Sequence, residues 1–421
     1  MPSIVAFTPS FAPRQDSESL VNTRTVQGLQ KAGLRIEVLS RRSGTTPETR
    51  GAHPNNPHGP RYHTPLPRLR NFLRTLIGNE NAQAARFIVE RAWGGHMAAQ
   101  ATRRLPPAKC GLVLSFGGFC HIAALNYADA TNIPIIANWN DPFPSLIAPP
   151  PYGDGPNRPL PTCYGNLLTT IGCTAAWHIF PSERLRSYML KFLPKAAEVR
   201  SSVIPHIACE MPPQRSCADG RPFTITHAGG LLPYRRVDVF FEGLSRFLVR
   251  QRSDSDFRAV FIGSQGSALH AMACRYGVDQ ACQFLPEMDH ERCARQLADS
   301  DALLVIEAQM RESIFLPTKF VDYAQTRKPI LAVVPKQSTI ADLINNYGGG
   351  VLADCFSAVE VAAGLDSLCS SWQPDRFDAE PPPGLLHKLF SEETVIRQYT
   401  SLIGRVSADS CGTAMAVTQE V

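Results

Sequence analysis

The sequence predicts an α/β protein made of two successive parallel-sheet units. Three observations lead there. A chain of 421 residues is longer than one hydrophobic core usually organises, so two domains are the default. Strand, loop and helix patterns alternate from Ile4 onward, and a second series of the same kind begins at Phe223. Inside that second series, ALLVI (Ala302–Ile306), an exposed loop, a short helix from Lys319 to Ala324 and ILAVV (Ile330–Val334) form a βαβ unit, whose two strands run parallel. In such sheets ligands sit at the carboxyl ends of the strands, where helix N-termini aim amide donors at anions.

Composition narrows the class. An apolar content of 44% and a charged content of 19% are those of a soluble globular protein. The start, MPSIVAFTPSF, has no basic n-region, and no run of eighteen apolar residues occurs, so neither a signal peptide nor a spanning helix is expected. The 12 cysteines are scattered, without C-x-x-C pairs or zinc spacing, and read as reduced thiols of a cytoplasmic protein. No acidic pair at D-x-D spacing ends a strand of the second unit, so no metal is expected. The net charge of +5 is modest, but between Arg41 and Lys109 basic residues far outnumber Glu48, Glu80 and Glu90. That excess favours a phosphate-rich or membrane-surface neighbour. Nucleic acid is not an expected partner.

In order along the chain, IVAFT (Ile4–Thr8) is a buried strand, and Ser17 or Ser19 caps a helix through Lys31 that Gly33 ends. RIEVL (Arg35–Leu39) is the next strand, and Ser43–Pro67 reads as a loop rich in Pro, Gly, His and Asn. The helix Arg68–Ile77 places Leu69, Phe72, Leu73, Leu76 and Ile77 on one face and arginines elsewhere. Such a face either lies on an anionic bilayer or packs on its own domain. A further helix from Ala82 to about Arg103 leads to the strand Leu112–Phe116. After it, Gly117-Gly118 and His121 open a helix, and the strand Pro134–Asn138 ends in Trp139-Asn140-Asp141-Pro142. His121 and Asp141 thus both follow parallel strands and are expected to face one cleft. Phe143–Pro161 is Pro-rich and reads as an ordered wall or lid. Leu167–Thr174 is helix, Trp177–Phe180 strand, Ser182 caps a helix to about Phe192, and Val203-Ile204 is the last strand before a linker, 206–221.

The second series opens with the strand Phe223–His227 and the turn Gly229-Gly230, followed by Arg235-Arg236 and the helix Asp238–Val249. Two glycines beside an arginine pair suit close approach of backbone to a phosphate. Ala259–Gly263, Cys282–Leu285 and Gly348–Leu352 are strands; Ser267–Tyr276, Asp289–Ala298 and Glu360–Cys369 are helices. A final helix, Glu392–Ile403, precedes a polar tail, 407–421, expected to be disordered. On the helix after Pro317, Lys319 and Asp322 suit a ligand with both phosphates and hydroxyls: an ammonium neutralises a diphosphate and a carboxylate accepts from two ribose hydroxyls.

These segments fall in a familiar order. TPSFAPRQDSESLVNTRTVQGLQKAGLRIEVLS, IPIIANWNDPFP, FPSERLRSYM, SSVIPHI, THAGGLLPYRRVD, FIGSQG, CQFLPEMDHE, SDALLVI and LPTKFVDYAQTRKPILAV together resemble the GT-B glycosyltransferases, most closely the retaining family 4 type, from about Ile4 to Arg405. The resemblance implies two Rossmann-like domains facing a cleft, with the C-terminal helix, 390–406, returning to the N-terminal domain. Residues 1–205 would bind the acceptor and 222–389 the nucleotide-sugar donor. It implies a sugar moved from a nucleotide diphosphate sugar to a glycan, lipid-linked or small-molecule acceptor, with no cofactor besides the donor. Arg235 would take the family's basic position on the donor diphosphate, with Lys319 beside it and Arg236 a weaker second. Asp322, seven residues before Pro329, would hold the ribose. Leu285 and Pro286 would contact the base; Ser313, Ile314, Phe315 and Leu316 would offer amides to the diphosphate or sugar. His121, Ser17 and Asp141 would lie on the acceptor side.

Three departures qualify the match. The position eight residues before Asp322, a glutamate in the family, is Ile314, with Glu312 two positions away. The basic residue that follows the first glycine in the family is Gly230. The N-terminal glycine-rich loop is replaced by Arg14-Gln15-Asp16-Ser17. Two other readings fit the same residues: a nucleotide-sugar epimerase, and a catalytically silent nucleotide-sugar-binding relative. A Rossmann oxidoreductase does not fit, because no G-x-G-x-x-G follows the first strand.

Overall fold

A computed structural model describes residues 3–14, 16–40, 66–129, 133–212, 221–231, 233–250, 257–263, 265–371 and 385–417; the side chains of 66–82 and 410–417 fall outside that description. The N-terminal lobe contains β1 (Ser3–Thr8), α1 (Ser17–Lys31), β2 (Ile36–Ser40), α2 (Leu66–Arg104), β3 (Cys110–Phe116), α3 (Cys120–Ala128), β4 (Ile135–Asn138), α4 (Thr162–Thr174), β5 (Trp177–Phe180), α5 (Glu183–Leu190), α6 (Ala196–Val199) and β6 (Ser201–Val203). Its six strands form one sheet in the order β2-β1-β3-β4-β5-β6, every pair parallel. The central strands are near-continuous apolar runs because helices cover both faces. Alternate residues divide between two cores: Val5, Phe7 and Val113 pack toward α3 and α4, and Ile4, Ala6, Leu112 and Leu114 toward α1.

The C-terminal lobe repeats the plan with β7 (Phe223–Ala228), α7 (Asp238–Arg250), β8 (Phe257–Ile262), α8 (Gly266–Tyr276), β9 (Cys282–Leu285), α9 (His290–Ala298), β10 (Ala302–Ile306), β11 (Glu312–Ser313), α10 (Thr318–Gln325), β12 (Ile330–Val334), β13 (Gln337–Ser338), α11 (Thr339–Tyr347), β14 (Gly350–Asp354), α12 (Ala358–Ser371), α13 (Leu386–Leu389) and α14 (Glu392–Val417). Its six-stranded sheet has the order β14-β12-β10-β7-β8-β9, again all parallel. The helix α14 crosses back to the N-terminal lobe, where Val395, Ile396, Tyr399 and Leu402 join the α1-side core. The Tyr399 hydroxyl donates to Asn138 Oδ1 at 2.9 Å, and Gly28 admits the close approach: a Cβ there would lie 2.6 Å from Ile396 Cδ1.

Several boundaries differ from the sequence reading. The expected helices Arg68–Ile77 and Ala82–Arg103 are one 39-residue helix, α2, running through Gly78-Asn79. A single glycine costs a helix only about 1 kcal/mol, too little to stop it. The side chains of the suggested bilayer face lie outside the described residues. The expected disordered tail is helical as far as Val417. Ala408, Ala414, Met415 and Ala416, with no proline, carry α14 beyond its last core contact at Val406. The cap of α1 is Asp16, whose Oδ1 accepts from Ser19 N–H at 2.9 Å, leaving Ser17 as an exposed first-turn residue.

Two ion-pair groups tie the lobes together. Arg24 of α1 pairs bidentately with Asp322 of α10, at 2.6 and 3.2 Å, and also donates to Ile207 O at 3.2 Å. Arg184 of α5 binds Asp342 through two nitrogens, at 2.5 and 2.9 Å, and Glu312 at 3.0 Å. Between them Ser182 Oγ donates to Ile314 O at 3.2 Å, and Ile314 itself packs into the N-terminal core. The Arg24–Asp322 side chains are only 14% and 11% exposed, so removing one partner strands a nearly buried charge. Arg24→Met should lower stability by about 3 kcal/mol in urea unfolding, and adding Asp322→Leu to it should recover most of that loss.

Candidate active site

The carboxyl ends of the two sheets face one cleft. On the C-terminal side β7 runs out into Gly229 and Gly230, both exposed, with Gly229 at φ 102°. Only glycine is at ease there. Space requires it as well, since a Cβ on Gly229 would lie 3.2 Å from Lys319 Nζ. Lys319 stands in the first turn of α10, whose N-terminus begins after Pro317 with no side-chain cap, leaving amide donors open. Its Nζ is 3.2 Å from His227 Nε2, and His227 Nδ1 is 2.9 Å from Leu304 O. These contacts fix the histidine as the Nδ1–H tautomer, donating to the carbonyl and accepting from the ammonium. Burial pushes the Lys319 pKa down to about 7, with the Arg235 charge acting in the same direction. Burial, and then the Lys319 charge, hold His227 neutral, well below the ordinary histidine value.

Arg235 is half-buried, and its Nη1 donates to Gly230 O at 3.2 Å, so the guanidinium and the Lys319 ammonium flank the same two-glycine turn. Arg236 is taken by Asp238 in a bidentate pair, both contacts 2.8 Å, and its exposed side chain contributes nothing to this cluster. Leu231 N–H is held by Gln265 Oε1 at 2.9 Å. Beneath the turn, Gly263 backbone bonds Leu285 O at 3.0 Å, which places Leu285 and Pro286 at the outer edge of the same sheet end.

Two further groups complete this side. Glu307, immediately after β10, is buried, and burial pushes its carboxyl up to about 7 although the Ser313 hydroxyl and the Arg235 charge pull it down. Tyr152 comes from the Pro-rich wall of the N-terminal lobe. Its ring meets Tyr234 edge-on at 5.4 Å and Phe315 at 5.1 Å. Burial raises its phenol pKa while Arg235, charged and hydrogen-bonding, lowers it. The wall therefore closes against the Arg235 region.

The N-terminal residues divide. Asp141 is open to the cleft, yet the protein mass around it pushes its carboxyl up to about 6. Next to it Asn140 Nδ2 donates to Asn22 Oδ1 at 2.9 Å, and Asn22 Nδ2 to Ser10 O at 3.1 Å, bracing the loop that holds Asp16 and Ser17. His121 does not face the cleft. It is fully buried, 2.6 Å from Ser115 Oγ through Nδ1 and 4.3 Å, ring to ring, from Trp139. As the second residue of α3 it turns under the helix onto the sheet, and burial lowers its pKa to about 3. An imidazole enclosed in this way is out of reach of a ligand in the cleft.

Asp322 also differs from expectation. Its Oδ1 takes Arg24 and the Cys209 N–H at 2.9 Å, and its Oδ2 takes Arg24, so both oxygens are engaged in holding the lobes and the linker together. The partner stands 298 positions away in sequence and no local pattern announces it. The segment Ser313–Leu316 is likewise more structural than expected: Ser313 bonds Glu307, Ile314 and Leu316 are buried, and Phe315 packs on Tyr152. Glu307, Tyr152, His227 and Gln265 were missed by sequence reasoning. Only the strand-end position of Glu307, directly after ALLVI, offered a signal. Among the described residues no group of three or more His, Cys, Asp or Glu is placed to hold a metal ion, and none of the ten described cysteines is joined in a disulfide.

No family model and no curated protein sequence matches the chain. Solved structures do. HepE of Anabaena, in complex with UDP and glucose, superposes with a TM-score of 0.61 at 13% identity, covering 96% of this chain and all (100%) of its own. The α,α-trehalose 6-phosphate synthase of Burkholderia multivorans gives 0.62 at 12% identity, over 100% and 99%. The lipopolysaccharide outer core galactosyltransferase WaaB gives 0.59 at 13% identity, over 96% and 99%. At such identities the likeness establishes architecture: this is the GT-B fold, two Rossmann-like lobes with the last helix returned to the first. Replacement of Gly229 by Ala should destabilise the fold by about 1–3 kcal/mol through its positive φ and displace Lys319, which a thermal melt and the proton titration of Lys319 would register.

Proposed function

We propose that the protein is a glycosyltransferase that takes a sugar from a nucleoside diphosphate and delivers it to a hydroxyl of a glycan, lipid-linked or small-molecule acceptor in the N-terminal half of the cleft. The observation that carries this reading is the pairing of Arg235 and Lys319 about the Gly229-Gly230 turn, next to the uncapped start of α10. Breaking an anomeric C–O bond to a diphosphate places positive charge on the sugar and negative charge on the departing phosphate. Two cations and free amides already aimed at the second charge stabilise that transition state without reorganising. Retention of configuration goes with this arrangement, because the leaving phosphate itself can accept the acceptor's proton. His121, expected on the acceptor side, is enclosed beneath its helix, which leaves Asp141 to orient the acceptor hydroxyl. The ribose role expected of Asp322 is not carried over. A cytoplasmic setting suits a donor of this kind.

Arg235→Ala should lower turnover by about 10²-fold or more with the fold intact, and an unchanged transfer rate in a folded variant would refute the role. Lys319 makes donor binding pH-dependent in a defined direction. With its pKa near 7 in the free protein, the amine is charged below that value and loses its proton above it. A bound diphosphate raises the pKa, so binding above pH 7 takes up a proton and affinity falls as pH rises, by up to about tenfold per unit. Calorimetry of a nucleoside diphosphate between pH 7.5 and 9, in two buffers of different ionisation enthalpy, should show that proton uptake in the wild type and none in Lys319→Met.

A further inference from the structure

At Tyr152 the Pro-rich wall of the N-terminal lobe meets the loop that carries Arg235. The wall is built to hold that residue still. Tyr152 N–H donates to Pro149 O at 3.0 Å, Asp154 N–H to Leu146 O at 2.8 Å and Gly155 N–H to Ala148 O at 3.0 Å. Gly153 lets the two arms of this turn touch, since a Cβ there would lie 2.5 Å from Ala148 O. The turn is moored to its own lobe, where the Tyr188 hydroxyl donates to Ile147 O and Arg86 Nη1 to Ser145 Oγ at 3.2 Å. The facing loop is held by contacts within itself. Arg235 N–H donates to Leu231 O at 2.9 Å and its guanidinium to Gly230 O at 3.2 Å, while Pro233, Tyr234 and Arg236 are exposed, Tyr234 at 48%. A firm element thus presents its ring to a soft one. Tyr152 enters edge-on between Tyr234, at 5.4 Å and 70°, and Phe315, at 5.1 Å and 74°. Tyr234 is the residue before Arg235, and Phe315 lies in the segment that leads through Pro317 into α10.

We infer that Tyr152 is a positioning residue: its ring, fixed on the N-terminal lobe, holds the Tyr234-Arg235 loop of the other lobe in the conformation that binds a diphosphate. An exposed loop that must order itself on binding loses affinity to its own conformational freedom. Edge-to-face ring pairs order it beforehand, because each contributes attraction beyond the burial of its area. The two partners come from opposite lobes. Tyr152 belongs to the half of the cleft proposed to take the acceptor, and Arg235 to the half proposed to take the donor. The leaving-group cation is therefore fully in place while the wall is against it and loosely placed when the wall is withdrawn. Preorganisation of that cation is what makes it effective at the departing phosphate. The Arg235 charge also lowers the Tyr152 phenol against the effect of burial, in keeping with their proximity. This inference rests on the transferase reading and adds to it the residue by which one lobe sets the anion site of the other.

A double-mutant cycle tests it. UDP, GDP and ADP are titrated into the full chain by calorimetry, and the diphosphate that binds is carried through the variants. Tyr152→Ala should weaken it about tenfold, within what the two ring contacts can supply. Tyr152→Phe keeps both contacts and should restore the affinity to within about threefold of the wild type. In an Arg235→Ala background, adding Tyr152→Ala should weaken binding by less than about twofold, because the group it positions is gone. The same cycle run with Tyr234→Ala in place of Tyr152→Ala should show the same non-additivity, from an exposed residue whose removal leaves the wall intact. The inference is overturned if the Tyr152 and Arg235 substitutions simply add, which would place Tyr152 on the ligand itself or in the general packing of the lobes. It is equally overturned if Tyr152→Phe binds as weakly as Tyr152→Ala, or if Tyr152→Ala binds as the wild type does. Failure of the wild type to bind any of these diphosphates would remove the transferase reading, and the inference with it.

Discussion

The ion pair between Arg24 and Asp322 is the contact on which the geometry of the cleft depends. It joins the first helix of one lobe to the helix that carries Lys319 in the other, and it also ties in the interlobe linker through Ile207 and Cys209. Because both side chains are nearly buried, their attraction is little screened, and separating them would leave two charges poorly solvated. The contact holds α10 in position, so the direction in which its open N-terminus and Lys319 face is set by a residue from the opposite half of the chain. Arg184 acts similarly at the other rim, gripping two carboxylates of the C-terminal lobe from α5.

With the lobes held this way, the electrostatics of the cleft follow from burial. Lys319 is pressed toward neutrality and Glu307 toward protonation. An anionic ligand resolves the strain on Lys319 by supplying the charge that water no longer supplies. The N-terminal wall contributes in a different way: Tyr152, wedged between Tyr234 and Phe315, encloses the Arg235 region and lowers the local dielectric in which those charges act.

Much of this architecture was readable from local sequence. Runs such as LVLSF and ALLVI could only be strands buried on both faces, and the helices between them followed from the 3.6-residue period. Capping residues were legible where the pattern was clean, as at Ser182, whose Oγ accepts from Leu185 N–H. Reading failed where the local signal was weak relative to the sum of its neighbours. Gly78 did not break α2, and the small polar residues after Ser407 did not end α14. That Arg235 and Lys319 flank the glycine turn is a grouping the sequence suggested, since paired glycines and neighbouring basic residues leave a compositional mark. The enclosure of His121 was not legible because position after a strand does not specify which way a side chain turns, and the pairing of Asp322 was not because its partner is remote in the chain.

By itself, then, the sequence determined the succession of strands and helices in two series and the basic residues near one strand end, since each of these is read from residues close in the chain. Only the tertiary structure decided which charged groups remain available. Arg24 meets Asp322 across 298 residues, Trp139 and Ser115 enclose His121, and Ser313 holds the buried Glu307. The reason is physical: periodicity and propensity act over a few residues, whereas the availability of a charge depends on whatever the folded chain has brought within about 4 Å of it.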